Sequence, residues 1–348
     1  MAPTIDTVLP PLVLGTATFN HQYNHNPENL GADAIIKKAF ELGIHAFDTS
    51  PYYGPSEIIL GQALANSGVK RDTYFLTTKC GRIAAEEFNY TPAWVRKSID
   101  RSLERLKTDY LDLVFAHDVE FVTYEDVLAA VTTLRELRDQ GKIRYVGISG
   151  YPVETLAEYA ERILEDTKEP LDSVMSYANY TLQSTKLGDV VERFVKAGVK
   201  VVQNASPLGM GLLRQQGVPV GAMGDFHPAP EGLRQACKDA AEAVQEKGER
   251  LEKVALRWTI EDWGRNGAVV GVQDGDKKRG VSVAGCSSEK ELEELIEVWK
   301  EVMEGKTEVL QELRNLGDLV IEKMGKTWKD YEWASPGEGY VYKKPEEI

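Results

Sequence analysis

The stretch Leu42-Gly43-Ile44-His45-Ala46-Phe47-Asp48-Thr49-Ser50-Pro51-Tyr52-Tyr53-Gly54 decides the fold. Leu42 closes a run from Ala32 in which Ile35, Ile36, Ala39 and Phe40 recur at helical spacing. Gly43 is the residue a helix uses to stop. Ile44 to Phe47 then reads as a short buried strand, and the chain turns polar at Asp48 before a helix from Ser56 to Leu64. The same unit recurs in both directions. Upstream, Leu12 to Leu14 supplies a first strand. Downstream, strands at Thr73 to Thr78, Tyr110 to Phe115, Ile143 to Ile148, Leu171 to Met175 and Val199 to Val202 alternate with helical runs. Those runs lie at Pro92 to Leu106, Tyr124 to Arg138, Val153 to Leu164 and Lys186 to Val195. Gly141 and Gly198 repeat the place of Gly43 between helix and strand. Such alternation over this length predicts an α/β fold, a (β/α)8 TIM barrel of parallel strands.

Helical segments at Glu231 to Gln245 and Leu251 to Trp263 precede the eighth strand, for which two runs compete. One is Ala268-Val269-Val270 and the other Val281-Ser282-Val283; Gly271 to Gly280 between them reads as a polar insertion. Extra C-terminal helices are expected near Glu289 to Val302 and Glu308 to Lys323. A loop tail from about 325 to 348 follows, with Trp328, Trp333, Pro336 and Gly337. No shift of composition marks a second domain, so residues 1–348 are expected to form one barrel domain.

The 348 residues are 42% hydrophobic and 28% charged, a composition with enough apolar content for a substantial core. Net charge is −14, from 41 basic and 55 acidic residues. A broad basic surface for nucleic acid or anionic membrane is therefore not expected. Cys80, Cys237 and Cys286 are far apart and form no CxxC, which predicts neither a disulfide framework nor a zinc ribbon. The first residues lack a signal-peptide pattern, and no apolar run approaches the roughly 20 residues of a membrane-spanning helix. A cytoplasmic protein, monomeric or weakly homo-oligomeric, is the expectation.

In barrels of this type the chemistry sits at the C-terminal ends of the strands. Asp48 ends the second strand, with Tyr53 in the loop behind it; Lys79 ends the third, His117 the fourth, Ser149 the fifth and Asn204 the seventh. A tyrosine hydroxyl, with an ordinary pKa of about 10, is a poor base near neutrality. An ammonium from Lys79 would stabilise the phenolate and lower that value. Asp48 would keep Lys79 charged and oriented, and His117 would hydrogen-bond a substrate oxygen as its charge changes. Each residue alone has a plainer explanation as a cap, a packed side chain or a surface charge. Gathered on neighbouring strand ends, they describe a proton-transfer site.

These residues resemble the aldo-keto reductase superfamily. Asp48-Thr49-Ser50-x-x-Tyr53-Gly54 looks like its signature around the catalytic tyrosine, and Lys79, His117 and Asp48 complete the family tetrad. The resemblance runs from about Leu12 to Leu295. The stretches 48–57, 86–90, 117–121, 147–152 and 204–214 are similar to the branch of fungal D-arabinose 1-dehydrogenases and L-galactose dehydrogenases. That branch implies oxidation of an aldose at its anomeric carbon to a lactone, with NAD, and Tyr53 as base.

The resemblance also implies cofactor contacts. Gly15, Thr16 and Ala17 match the loop beside the nicotinamide, and Ser149 the carboxamide-binding residue. The usual Asn after it is Gly150 here, and the sixth-strand Gln gives way to Ser176 or Tyr177. Ala205 stands where relatives carry a stacking aromatic. Ser206, Leu208, Gly209 and Gly211 match the pyrophosphate loop, where small residues let backbone N–H groups approach phosphate. Ser287, Ser288 and Glu291 match the adenosine end. A carboxylate at Glu291 would repel a ribose phosphate and accept a hydrogen bond from a free hydroxyl, which predicts NAD over NADP. Phe19, Tyr52, Arg82 and Asp118, with the tail around Trp328 or Trp333, are expected to shape the sugar pocket.

Other readings carry less. No GxGxxG follows an early strand, as a Rossmann dehydrogenase requires. Tyr340 and Lys344 have a Tyr-xxx-Lys spacing but lie in the tail. His21 and His25 lack a third ligand, so no metal site is expected, and they are assigned to a mobile loop over the barrel mouth. Cys80 is expected to pack at the barrel end. A broad-specificity aldehyde or ketone reductase, or a nicotinamide-binding redox-sensing subunit, are the alternatives of function.

Overall fold

The computed structural model describes residues 3–219, 221 and 224–345; the first two residues and the last three of the expected tail lie outside the described residues. Seven strands come first: β1 (Leu12–Gly15), β2 (Ala46–Asp48), β3 (Phe75–Cys80), β4 (Leu111–His117), β5 (Ile143–Gly150), β6 (Ser173–Tyr177) and β7 (Val201–Ala205). Helices α1 (Ala32–Glu41), α2 (Ser56–Ser67), α3 (Pro92–Leu106), α4 (Tyr124–Asp139) and α5 (Val153–Thr167) separate the first six. The short α6 (Lys186–Asp189) and α7 (Val191–Lys196) lead to β7, and α8 (Glu231–Gln245) and α9 (Leu251–Asn266) follow it. Next come β8 (Val272–Asp274), β9 (Lys277–Arg279) and β10 (Val281–Gly285), then α10 (Glu289–Glu304) and α11 (Thr307–Trp328). Eight strands close a parallel barrel in the order β1-β2-β3-β4-β5-β6-β7-β10. The expected TIM barrel is what the chain forms.

The helix-ending glycines do the same job three times. Gly43, Gly141 and Gly198 all have positive φ, and the residue after each donates back into the last helical turn. Ile44 N bonds Ala39 O (2.9 Å), Lys142 N bonds Leu137 O (3.0 Å) and Val199 N bonds Phe194 O (3.1 Å). This is the Schellman closure, which satisfies carbonyls a helix otherwise leaves open and aims the chain into the next strand.

The eighth barrel strand is β10: Val13 pairs with Val283, and Ser282 with Asn204. Ala268–Val270 forms a single 3-10 turn instead. The expected polar insertion is a two-stranded antiparallel hairpin, β8 with β9. Its Val272 is buried with Ile5 and Leu9 against the barrel-lining Val13, Ala46, Phe75 and Val281. Its polar residues face outward, and Lys278 pairs with Asp6 (3.1 Å). The hairpin and the N-terminal turn thus cap the apolar barrel interior at the end away from the polar strand ends.

The ladders also run further than the apolar runs suggested. β3 and β5 extend through Cys80 and Gly150, so Lys79 and Ser149 are the last residue but one of their strands and not the last. Polar side chains are tolerated there because they face the barrel mouth while the backbone stays paired. Outside the barrel, α8, α9 and α11 share a second apolar cluster with Leu212, Tyr151 and Trp333. α11 breaks at Gly325 (φ 64°, ψ 175°), and the tail crosses back to the mouth. No helix of the described residues is long and apolar enough to cross a membrane.

Candidate active site

β2, β3 and β4 bring Asp48, Lys79 and His117 side by side, and the loop after β2 returns Tyr53 to them. Lys79 is 1% exposed, and its Nζ donates to Asp48 Oδ1 (2.6 Å) and Thr49 O (2.9 Å). The same nitrogen lies 4.9 Å from the Tyr53 ring centroid. Tyr53 meets the His117 imidazole edge to face, with centroids 5.8 Å apart and planes at 89°. Tyr52 packs on the same imidazole at 5.9 Å. Ser50 Oγ lies 3.1 Å from His117 Nδ1, and Tyr90 donates its hydroxyl to the His117 carbonyl. The four expected residues stand together.

Their electrostatics differ from expectation in one respect. Burial pushes the Tyr53 phenol well above its ordinary pKa, and the carboxylates of Asp48 and Asp118 add to this; Arg82 is the cation that opposes them. Lys79 is spent on Asp48 and Thr49, so the expected lowering of the phenol does not appear. Burial also raises the Asp48 carboxyl, against the pull of Lys79. His117 is driven down to about 3 by burial, with Asp118 opposing and Lys79 and Arg82 assisting. Its imidazole is therefore neutral near pH 7. Burial would raise Asp118 too, but His117 and Arg82 outweigh it and hold the carboxyl below its usual range.

On the side expected to face a sugar, Arg82 pairs with Asp118 and stacks on Tyr52 at 4.0 Å. Its other donors go to Ala84 O and Ala85 O, so the guanidinium braces the loop after β3. Phe19 does not join this wall; it is 1% exposed and packs in the core. Of the two tail tryptophans, Trp333 stacks on Tyr151 (4.6 Å, 15°) near the mouth. Trp328 instead lies against Gly232 of α8, where a β-carbon would meet it at 2.3 Å. The Tyr177 phenol is pushed well above its ordinary value by burial and then by Asp118 and Glu120, and its ring lies 5.5 Å from that of Tyr151.

Several residues here escaped the sequence reading. Tyr23 and Phe226, from the loops after β1 and β7, meet edge to face at 5.2 Å, and Tyr23 lies close enough to Tyr52 and Tyr53 to feel their charge. Glu120 accepts Tyr151 N–H (3.0 Å) and the Ser335 hydroxyl (2.9 Å), tying the tail to β5. Asn179 donates to Tyr151 O (2.5 Å) and Ser176 Oγ (3.0 Å), leaving its own Oδ1 buried and unpaired. No spacing in the sequence pointed to any of them.

The remaining residues expected to hold a cofactor lie on β1, on β5, in the loop after β7 and at the start of α10. Gly15 pairs with Asp48 and Gly285, and buried Thr16 donates its hydroxyl to Asp48 O (3.0 Å). Ala17 follows it in the loop. Ser149 lies beside His117 in the β4–β5 ladder. Beyond Ala205 at the end of β7, Ser206, Gly209 and Gly211 all have positive φ. The N–H of Gly209 is spent on Ser206 O (2.8 Å) and that of Gly211 on Leu208 O (3.1 Å). These glycines therefore shape the turn, and do not offer the free donors expected of them. Ser288 caps α10 by accepting Glu291 N–H (3.2 Å), while Glu291 returns a carboxylate oxygen to Ser287 N–H (2.7 Å). Its other oxygen meets Arg214 (3.2 Å), so the carboxylate is already engaged. Among the described residues no cluster suits a metal ion, and Cys80 is buried, its thiol pushed up to about 12 by burial.

The family model described as aldo/keto reductase matches residues 11–317. The chain belongs to this family. Among similar aldo/keto reductases and related proteins, the D-arabinose 1-dehydrogenase of Saccharomyces cerevisiae is 42% identical over 331 residues, 93% of either chain. The L-galactose dehydrogenase of Arabidopsis thaliana is 38% identical over 244 residues, 69% of this chain and 73% of its own. The NADH-specific methylglyoxal reductase of Escherichia coli is 29% identical over 51% of this chain and 56% of its own. As an aldo/keto reductase the protein is an oxidoreductase, and the family implies a nicotinamide cofactor. The buried, unpaired Oδ1 of Asn179 fits that group, since a carboxamide N–H is the kind of donor it lacks.

Proposed function

We propose that residues 1–348 form one barrel domain that oxidises an aldose of the D-arabinose or L-galactose type at its anomeric carbon. NAD is the hydride acceptor and the lactone is the product. The observation that carries this reading is the convergence of Tyr53, Lys79, Asp48 and His117 at one barrel end. The names of the two dehydrogenase relatives support the substrate class.

A bound nicotinamide supplies the ring that receives the hydride. Tyr53 Oη takes the proton of the anomeric hydroxyl while the C1–H electron pair leaves as hydride, so C1 ends as the lactone carbonyl. Lys79, paired with Asp48, lies 4.9 Å from the centre of the Tyr53 ring and holds that ring in place. His117 orients the anomeric oxygen. Tyr52, Asp118 and Trp333 shape the sugar side, with Arg82 bracing Tyr52 and Asp118 from behind. Gly15, Thr16, Ala17, Ser149, Gly150, Tyr177 and Asn179 face the nicotinamide, Ser206 and Leu208 the pyrophosphate in a turn that Gly209 and Gly211 shape, and Ser287, Ser288 and Glu291 the adenosine end. A carboxylate fixed at Glu291 disfavours a ribose phosphate, which supports NAD over NADP.

The test is a panel of aldoses and aliphatic aldehydes with purified protein and both cofactors. The expected result is highest kcat/KM for an aldose with NAD, with lactone as product. Faster reduction of simple aldehydes, or tight NAD binding without turnover, would defeat the reading.

A further inference from the structure

Ser50 is fully buried in the loop after β2, two residues past Asp48. Its Oγ accepts the N–H of Tyr52 at 3.1 Å and lies 3.1 Å from His117 Nδ1. A hydroxyl has one hydrogen to donate and two lone pairs. With Tyr52 N–H on one lone pair, two arrangements of the contact with Nδ1 remain. If Nδ1 carried the ring proton, Oγ would accept twice and its own hydrogen would need a third partner. Among the described residues no further group bonds to that oxygen. If Nδ1 is bare, Ser50 donates to it and every group is paired.

The other ring nitrogen favours the same tautomer, through a contact too long for a hydrogen bond to fix it. His117 Nε2 lies 3.6 Å from Asp118 Oδ2. A carboxylate favours an N–H facing it over a lone pair. Asp118 is itself held by Arg82, and Lys79 and Arg82 are the cations near the ring. The imidazole is neutral, so there is a single proton to place.

We propose that Ser50 is a positioning residue that holds His117 in its Nε2–H tautomer, so that the ring presents a donor to the anomeric oxygen of the substrate. The role at the substrate rests on the aldose-oxidation reading above. As the anomeric hydroxyl gives its proton to Tyr53, the oxygen gains negative charge. An N–H aimed at it stabilises that charge, whereas the opposite tautomer would present a lone pair and repel it. The serine thereby sets the sign of the contact that His117 makes.

The chain has five histidines, so nitrogen-15 NMR of the imidazoles in the full-length protein is tractable, with His117→Gln identifying the signals that belong to His117. The wild-type ring is expected to show a protonated Nε2 and a bare Nδ1. Ser50→Ala is expected to give a mixture of tautomers. It should lower kcat for the aldose about tenfold to a hundredfold while the dissociation constant for NAD stays unchanged. Ser50→Thr, which keeps the hydroxyl, should restore both tautomer and kcat. A wild-type ring protonated at Nδ1 would overturn the proposal, and so would a purely Nε2–H ring in Ser50→Ala. The wild-type spectrum decides the first point even if no variant folds. The expected spectra without any aldose turnover would uphold the tautomer and refute the substrate reading.

Discussion

Gly150 lies directly against the Glu120 carboxyl: a β-carbon at position 150 would meet Glu120 Oε2 at 2.3 Å. The space for a side chain at position 150 is filled as long as Glu120 keeps its place. Gly150→Ala is expected to destabilise the protein by about 1–3 kcal/mol, the usual cost of overpacking a filled site. Gly150→Asn should cost more. Denaturant unfolding reads both, and an unchanged midpoint would show that Glu120 simply moves aside.

Glu120 also makes stability depend on pH. Burial, then Asp118, raises its carboxyl from 4.5 to about 8. The folded state therefore keeps a proton that the unfolded chain loses above about 4.5. The linked stability is fully present below pH 4.5 and is lost as pH rises towards 8. Glu120→Gln should flatten that decline, with its largest gain in Tm near pH 8. An identical pH profile in the variant would show that Glu120 is ionised throughout.

Tyr53→Phe should lower kcat by about a hundredfold to ten-thousandfold, the span of general acid–base catalysis, with NAD binding intact. Because the phenol sits above its ordinary pKa, oxidation by the wild type should accelerate through the alkaline range. Steady-state kinetics with fluorescence titration of the cofactor separates the two effects.

The Lys79–Asp48 pair is buried on both sides, at 2% and 5% side-chain exposure. Lys79→Met leaves Asp48 without its cation and should cost about 3–5 kcal/mol. The double variant Lys79→Met, Asp48→Asn should lose less than the sum of the two single losses. Additive losses in a double-mutant cycle would mean that the pair is uncoupled.

Glu291→Gln removes the charge at the adenosine end yet keeps an oxygen for Ser287 N–H. The ratio of kcat/KM with NAD to that with NADP should fall about tenfold, equivalent to roughly 1.4 kcal/mol. An unchanged ratio would leave Glu291 as a helix cap and an Arg214 partner only.

Much of the architecture was legible in the sequence because it is set locally. Apolar runs, helical spacing and the recurring Gly43, Gly141 and Gly198 predict seven strands and their helices, and they placed Asp48, Tyr53, Lys79 and His117 at one barrel end. The eighth strand was not legible, since Ala268–Val270 and Val281–Val283 are both short and apolar. Only pairing with β1 and β7 selects the second. Side-chain environments were hidden for a related reason. Phe19 is as apolar in the core as it would be on a pocket wall, and the pKa of Tyr53 follows Asp118 and Arg82 as well as its own neighbours. Ser335 reaches Glu120 across 215 positions. Periodicity is a property of adjacent residues, so the sequence by itself determined the barrel and the residues at its mouth. Burial, charge and hydrogen-bond direction depend on groups brought together from distant positions, and those only the tertiary structure decided.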